Sequence, residues 1–179
     1  MTYLSPSFPR AFALLLAVLG ASACGDDPPR YERSCAHNCD RAHECSASID
    51  IDACERDCQA RFARIGPHLR GDYLDRVDGC VDDRSCTGLA LDIVLNTCPN
   101  EARARVAPSE SAVDFCESIS TSVAECVGPR LGTALCIDNV KIFNDATLAS
   151  AARCSKVSCD ERLPCLEDVF GQDPTATLP

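Results

Sequence analysis

The side chains best equipped for chemistry crowd into one short stretch, Cys35, His37, Cys39, His43 and Cys45. Cys39 and His43 are four residues apart, so on a helix they lie one above the other. A thiolate and an imidazole placed so can hold zinc or copper. His37 and His43, six apart, point roughly 120° away from each other on the same helix. The cysteines also belong to a wider pattern that favours disulfides. The favoured reading is therefore solvated histidines with no metal ligand. A small envelope hydrolase or metal binder built on the His37/His43 region is the alternative. His68 follows Gly66 and Pro67 in an expected turn and reads as a surface residue.

Other catalytic patterns are missing or uninformative. Carboxylates occur in pairs at Asp72 and Asp75, Asp82 and Asp83, and Asp160 and Glu161. Glycoside hydrolysis needs two carboxylates at a set separation across a cleft, which spacing along a chain does not supply. No two cysteines are three apart, so there is no Cys-x-x-Cys exchange pair. There is no phosphate-cradling glycine loop, no nucleophile elbow and no calcium loop. No catalytic residue and no cofactor is assigned.

The elements that must position these residues follow an N-terminal segment of different character. Arg10 precedes an apolar run from Ala11 to Gly20, then Ala21, Ser22, Ala23 and Cys24, with no acid before Asp26. A charged start, a short apolar run and small residues make an export signal over 1–23. Ten residues at 1.5 Å each reach about 15 Å, half of a hydrocarbon core, which is too short for a stable span. The small residues fit an ordinary signal-peptidase site. They also resemble the lipobox of bacterial lipoproteins, with Ala21 where that family usually has Leu. That resemblance implies cleavage before Cys24, acylation of Cys24 and a lipid bilayer as partner. Parity agrees: of fifteen cysteines, setting Cys24 aside leaves fourteen, an even number. Residues 24–33 would be a polar tether that its prolines keep extended. Without acylation of Cys24, a periplasmic or secreted protein follows, including a toxin-like effector.

From Cys24 onward the chain carries 27 acids against 16 Lys and Arg. That balance argues against nucleic acid and against charge-driven adhesion to anionic lipid. It suits a solvated surface, with a cationic ligand as the less favoured reading. Leu, Ile, Val and Phe make up only 32 of those 156 residues, close to the level at which apolar burial alone fails to hold a fold. Disulfides must supply the difference. The candidates are Cys35, Cys39, Cys45, Cys54, Cys58, Cys80, Cys86, Cys98, Cys116, Cys126, Cys136, Cys154, Cys159 and Cys165.

The expected fold is all-α, a small disulfide-rich bundle of helical hairpins. Cys35/Cys39 and Cys54/Cys58 are spaced by four, so two antiparallel helices can join by two rungs, Cys35 to Cys58 and Cys39 to Cys54. This resembles the twin Cys-x3-Cys helical hairpin of several unrelated small proteins, over residues 34–65. Cys45 would pair further away. The second helix carries an apolar stripe of Ile51, Cys54, Cys58, Phe62 and Ile65, capped by Ser48 or Asp50 and stopped at Gly66 and Pro67.

Further helices are expected over 69–77, over 89–98 ended by Pro99, and from a capping box at Ser111 to Asp114 through to Gly128. Others are expected over 131–143 with Leu135, Cys136, Val140 and Phe143 inward, after Asp145, and after Ser158 with Pro164 distorting the start. Residues 100–109 read as a linker or frayed turn and 171–179 as a loose tail. Two related halves, 34–97 and 98–170, are suggested by matches of Cys39 with Cys116, Cys54 with Cys136, Cys80 with Cys159 and Cys86 with Cys165. Each half holds seven cysteines, so at least one bridge must cross.

The composition and lipobox are similar to those of small cysteine-rich lipoproteins of high-GC predatory or gliding bacteria. The resemblance implies an exported protein at the outer membrane or cell surface and no particular activity. The function expected is non-catalytic: a membrane-anchored module for binding, envelope structure or contact with an envelope or surface protein.

Overall fold

The computed structural model describes residues 28–128 and 132–170. The stretch expected as an export signal, Cys24 and the stretch expected as a C-terminal tail lie outside the described residues. Eight α-helices occupy what is described: α1 (Arg30–Cys45), α2 (Ile51–Phe62), α3 (Gly71–Asp82), α4 (Cys98–Arg105), α5 (Glu110–Val127), α6 (Thr133–Val140), α7 (Asp145–Ala152) and α8 (Cys159–Phe170). The protein is all-α and disulfide-rich, as its periodicity predicts.

Local chemistry explains several helix ends, with shifts from expectation. Asp50 caps α2, its carboxylate accepting from the amide of Ala53 at 3.0 Å. The cap of α5 is Ser109, which accepts from Ala112, two residues before the predicted box. Asn144, one residue ahead of the expected Asp145, caps α7 through the amide of Thr147. In each case the residue in extended conformation just ahead of the first turn wins, because its side chain can reach back to a free amide. Gly128 ends α5 with φ of 100°, a conformation that costs a side chain but not glycine. The first helix begins at Arg30, so the last part of the stretch expected as tether is helical.

Residues 100–105 are helix, not linker. Pro99 does not end the element. A wider π-type turn over Ile93–Thr97 leads directly into α4 and carries the chain through Pro99 in its first turn. In α6 Leu135 is 66% exposed, contrary to its expected inward position. Leu135 and Cys136 are neighbours and cannot share a face. The bridge from Cys136 to Cys116 on α5 sets the rotation. Helix α8 runs through Pro164, with Leu166 and Phe170 buried.

The helices pack in a repeating order. Helix α1 packs on α2 and α3, and α3 on α4; α5 packs on α6 and α7, and α7 on α8. The bridges repeat with them. Cys39–Cys54 joins α1 to α2 as Cys116–Cys136 joins α5 to α6. Cys80–Cys98 ties α3 to α4 as Cys154–Cys165 ties the turn after α7 to α8. Cys45–Cys86 and Cys126–Cys159 each hold the end of the long first helix to the approach to the fourth, Cys86 lying ahead of α4 and Cys159 opening α8. Cys35–Cys58 stands alone; the corresponding places in the second set hold Ala112 and Val140. Cys80 thus corresponds to Cys154 and Cys86 to Cys159, not to Cys159 and Cys165 as the equal spacing suggests. Packing of third on fourth helix, rather than spacing, sets the correspondence. The bridge that crosses 97/98 is Cys80–Cys98.

The two sets meet at a reciprocal pair of main-chain bonds. The amide of Arg70 donates to Ile142 at 2.9 Å, and that of Asn144 donates to His68 at 2.8 Å. Arg70 and Asn144 are the residues just ahead of α3 and α7, so the contact joins equivalent places in the two sets. One apolar core spans both sets, from Ala42 and Tyr73 to Phe143, Leu148 and Phe170. Phe170 packs against the rings of Phe115 and Phe143, at 6.0 and 4.9 Å between centroids. The rungs Cys35–Cys58 and Cys39–Cys54 form a second small core of their own.

Gly66 lies in the turn leading to this junction, and a β-carbon there would overlap Cγ and both Cδ atoms of the Tyr31 ring on α1. Gly66→Ala is expected to cost about 1–3 kcal/mol by overpacking. The denaturation midpoint without reductant checks this, and an unchanged midpoint would mean that the ring yields freely.

Candidate functional site

The disulfide framework is the best-defined chemical feature of the molecule. Both rungs of the hairpin form as expected: Cys35–Cys58 and Cys39–Cys54 have Cα separations of 5.7 and 5.8 Å, within the ordinary range. Cys45 reaches away from the hairpin to Cys86. All fourteen cysteines from Cys35 to Cys165 are used in seven bridges.

That pairing removes Cys39 as a metal ligand, and the histidines do not converge. His37 lies on the α3 side of α1, its Nε2 3.0 Å from Asp82 at the surface. His43 turns to the α1–α2 connection, where its Nδ1 is 2.7 Å from the carbonyl of Ile49. A shallow, open depression lined by His43 and residues 47–52 adjoins it, without enclosing walls. His68 is not simply a surface group: its Nδ1 is 3.1 Å from Thr147 Oγ1, across the junction of the two sets. Among the described residues no three His, Cys, Asp or Glu side chains converge as a metal site. Likewise, among the described residues no helix is long and apolar enough to cross a membrane.

A polar seam between α1 and α3 escaped the sequence reading. Asp78 accepts from Ser34, Asn38 and Arg30, and Arg30 also pairs with Asp75. Ser34 and Asn38 are each 3% exposed. Their four-residue spacing was legible, but not that one aspartate 40 residues later would meet both. The seam orients α1, and a carboxylate so surrounded has no open face for a substrate.

An apolar cleft at Tyr73 of α3 is small. Phe62, Tyr73, Leu95 and Ile142, flanked by Arg61 and Arg103, enclose about 30 Å³, room for one or two waters. Burial pushes the phenol of Tyr73 up to about 12, against an opposing pull from Arg103. Tyr73 therefore stays protonated at neutral pH and offers no base. Arg103 donates to Asn139 and to the carbonyl of Asp138, binding α4 to α6. The carboxyl of Asp138 is held below its ordinary range, first by its hydrogen bond from Lys141, then by the charges of Lys141 and Arg103.

The most unusual group is Arg162, in the first turns of α8 and only 8% exposed. Its guanidinium donates to the carbonyls of Ser122, Cys154, Ser155 and Val157, and one nitrogen also lies against Cys126 Sγ. A cation is thus satisfied by carbonyls and a sulfur rather than by a carboxylate. No spacing in the sequence signals this, because its partners come from two separate segments, the end of α5 and the turn at residues 154–157. At the exposed edge beside it, Ser158 donates to Glu161 at 2.5 Å, and that hydroxyl also holds the carboxyl of Asp160 below its ordinary range.

These features describe a small disulfide-stabilised helical domain with a well-knit interior and no deep cleft among its described residues. No protein-family model, no curated protein and no solved structure matches this chain.

Proposed function

We propose that this chain is an exported, membrane-tethered, non-catalytic module that works by binding or by contact within the cell envelope. One observation carries the reading. The fourteen cysteines from Cys35 onward are consumed among themselves. Cys24 therefore has no cysteine of this chain left to pair with. A lone thiol in an oxidising compartment is a liability, whereas an acylated one is an anchor. Seven bridges also favour a site outside the reducing cytosol.

The tether sets the geometry. Six peptide steps lead from Cys24 to the start of α1 at Arg30, so the bundle stands within about 20 Å of the bilayer. Two or three acyl chains, at about 0.8 kcal/mol per buried CH₂, hold such a protein firmly where one chain would not. The excess of acids keeps the domain off anionic headgroups and leaves its surface open to a partner of positive charge.

Mass spectrometry of the protein from its native membrane is expected to find Cys24 N-terminal and acylated. Cys24→Ser is expected to move the protein from the detergent-soluble membrane fraction to the soluble one. An unmodified Cys24 in the native protein would refute the anchor.

A further inference from the structure

The bridge Cys126–Cys159 differs from the other six in its surroundings. Cys159 is the first residue of α8 and is exposed, whereas Cys126, near the end of α5, is half-buried. The guanidinium of Arg162 lies against Cys126 Sγ, and its remaining hydrogen bonds go to carbonyls, so its positive charge is not neutralised by a carboxylate in that contact. The counterpart bridge, Cys45–Cys86, is similarly placed, with Cys86 exposed and Cys45 half-buried. Among the described residues no arginine or lysine is seated on either of its sulfurs. At Cys80–Cys98 an arginine is near, but Arg84 Nη2 is 4.0 Å from Cys80 Sγ and pairs with Glu101. That bridge is also buried on both sides.

We propose that Cys126–Cys159 is a thiol-exchange site, the bond of this molecule that a small-molecule thiol opens first, and opens at Cys159. The attacking thiolate needs access to one sulfur and a stable leaving group on the other. Cys159 supplies the access. Cys126 supplies the leaving group, because the guanidinium favours its thiolate over its thiol.

In the exchange, the incoming thiolate forms a bond to Cys159 Sγ as the S–S bond breaks, and Cys126 leaves with the electron pair. A mixed disulfide on Cys159 and a thiolate on Cys126 result. A second thiolate then attacks the outer sulfur of the mixed disulfide, releasing the small-molecule disulfide and leaving Cys159 as a thiolate. Two electrons pass from two thiols to one protein bridge. Helix α8 stays attached through Cys154–Cys165, so the exchange leaves the fold standing. The freed Cys126 thiolate remains under Arg162 and can close the bridge again by attacking a mixed disulfide on Cys159.

The test is a redox titration of the full-length folded protein in buffers of reduced and oxidised glutathione. Acid quenching, alkylation and peptide mapping then follow each bridge, with far-UV circular dichroism alongside. Cys126 and Cys159 are expected to become alkylated at a reducing ratio at least tenfold lower than Cys45 and Cys86 require, with helix content unchanged. Glutathione adducts are expected on Cys159 rather than Cys126. The comparison with Cys45–Cys86 separates the effect of the charge from that of exposure. Opening of Cys45–Cys86 at the same or a milder ratio would overturn the proposal. So would reduction of all bridges together, or an adduct carried by Cys126.

Discussion

Complete reduction of the seven bridges is expected to unfold the domain at room temperature. The loops they close run from 11 to 41 residues in sequence separation, and each closure restricts the unfolded chain by about 3–4 kcal/mol when taken alone. The loops overlap, so their effects do not add in full. Even half of the combined effect is comparable with the whole stability of an ordinary domain, roughly 5–15 kcal/mol. The core has little to set against that loss, since Leu, Ile, Val and Phe are one residue in five from Cys24 onward. Fully buried cysteines such as Cys39, Cys98, Cys116 and Cys154 are themselves part of that core. Far-UV circular dichroism with a parallel thiol count checks the expectation. A protein with fourteen free thiols that kept its helices and its melting temperature would show that apolar packing suffices after all.

Removal of the Arg162 guanidinium is expected to be the most damaging change that leaves every bridge in place. Arg162→Met fills similar space but strands the carbonyls of Ser122, Cys154, Ser155 and Val157. Hydrogen bonds to a charged donor contribute about 1.5–3 kcal/mol each, and buried acceptors left without partners cost about 1–3 kcal/mol. Some of these carbonyls gain water once the side chain is gone, so a net loss of about 3–5 kcal/mol is expected. That lowers the melting temperature of a chain this size by about 10 °C. Arg162→Lys is expected to recover less than half, because an ammonium cannot span the fork of acceptors that a planar guanidinium reaches. Thermal unfolding under non-reducing conditions measures both. A shift of only a degree or two for the methionine variant would mean that the end of α5, the turn at Arg153–Lys156 and α8 hold together without it.

Both expectations concern links between segments distant in sequence, and these were the least legible. The hairpin was legible because helix geometry is local. Cysteines four apart on two amphipathic segments have few ways to face each other, and Cys35–Cys58 and Cys39–Cys54 follow. The helical class, the stop at Gly128 and the thinness of the core were legible for the same reason. Each depends on a few neighbouring residues or on composition. Helix starts are open by one or two residues in the sequence where several capping side chains compete, as with Ser109 against Ser111 and Asn144 against Asp145. The inward face of α6 differs from expectation at Leu135, since two adjacent apolar residues leave the rotation open.

What the sequence by itself determined is an all-helical, cysteine-stapled protein with one hairpin ladder. Period and spacing suffice for that, because a helix turns every 3.6 residues whatever lies elsewhere. Only the tertiary structure decided which of the remaining ten cysteines meet, how the second set of helices corresponds to the first, and that Arg162 is buried on carbonyls beside Cys126. Those outcomes depend on which helix faces pack across long stretches of chain, and the residues that meet there carry no mark of their partners in the order in which they are written.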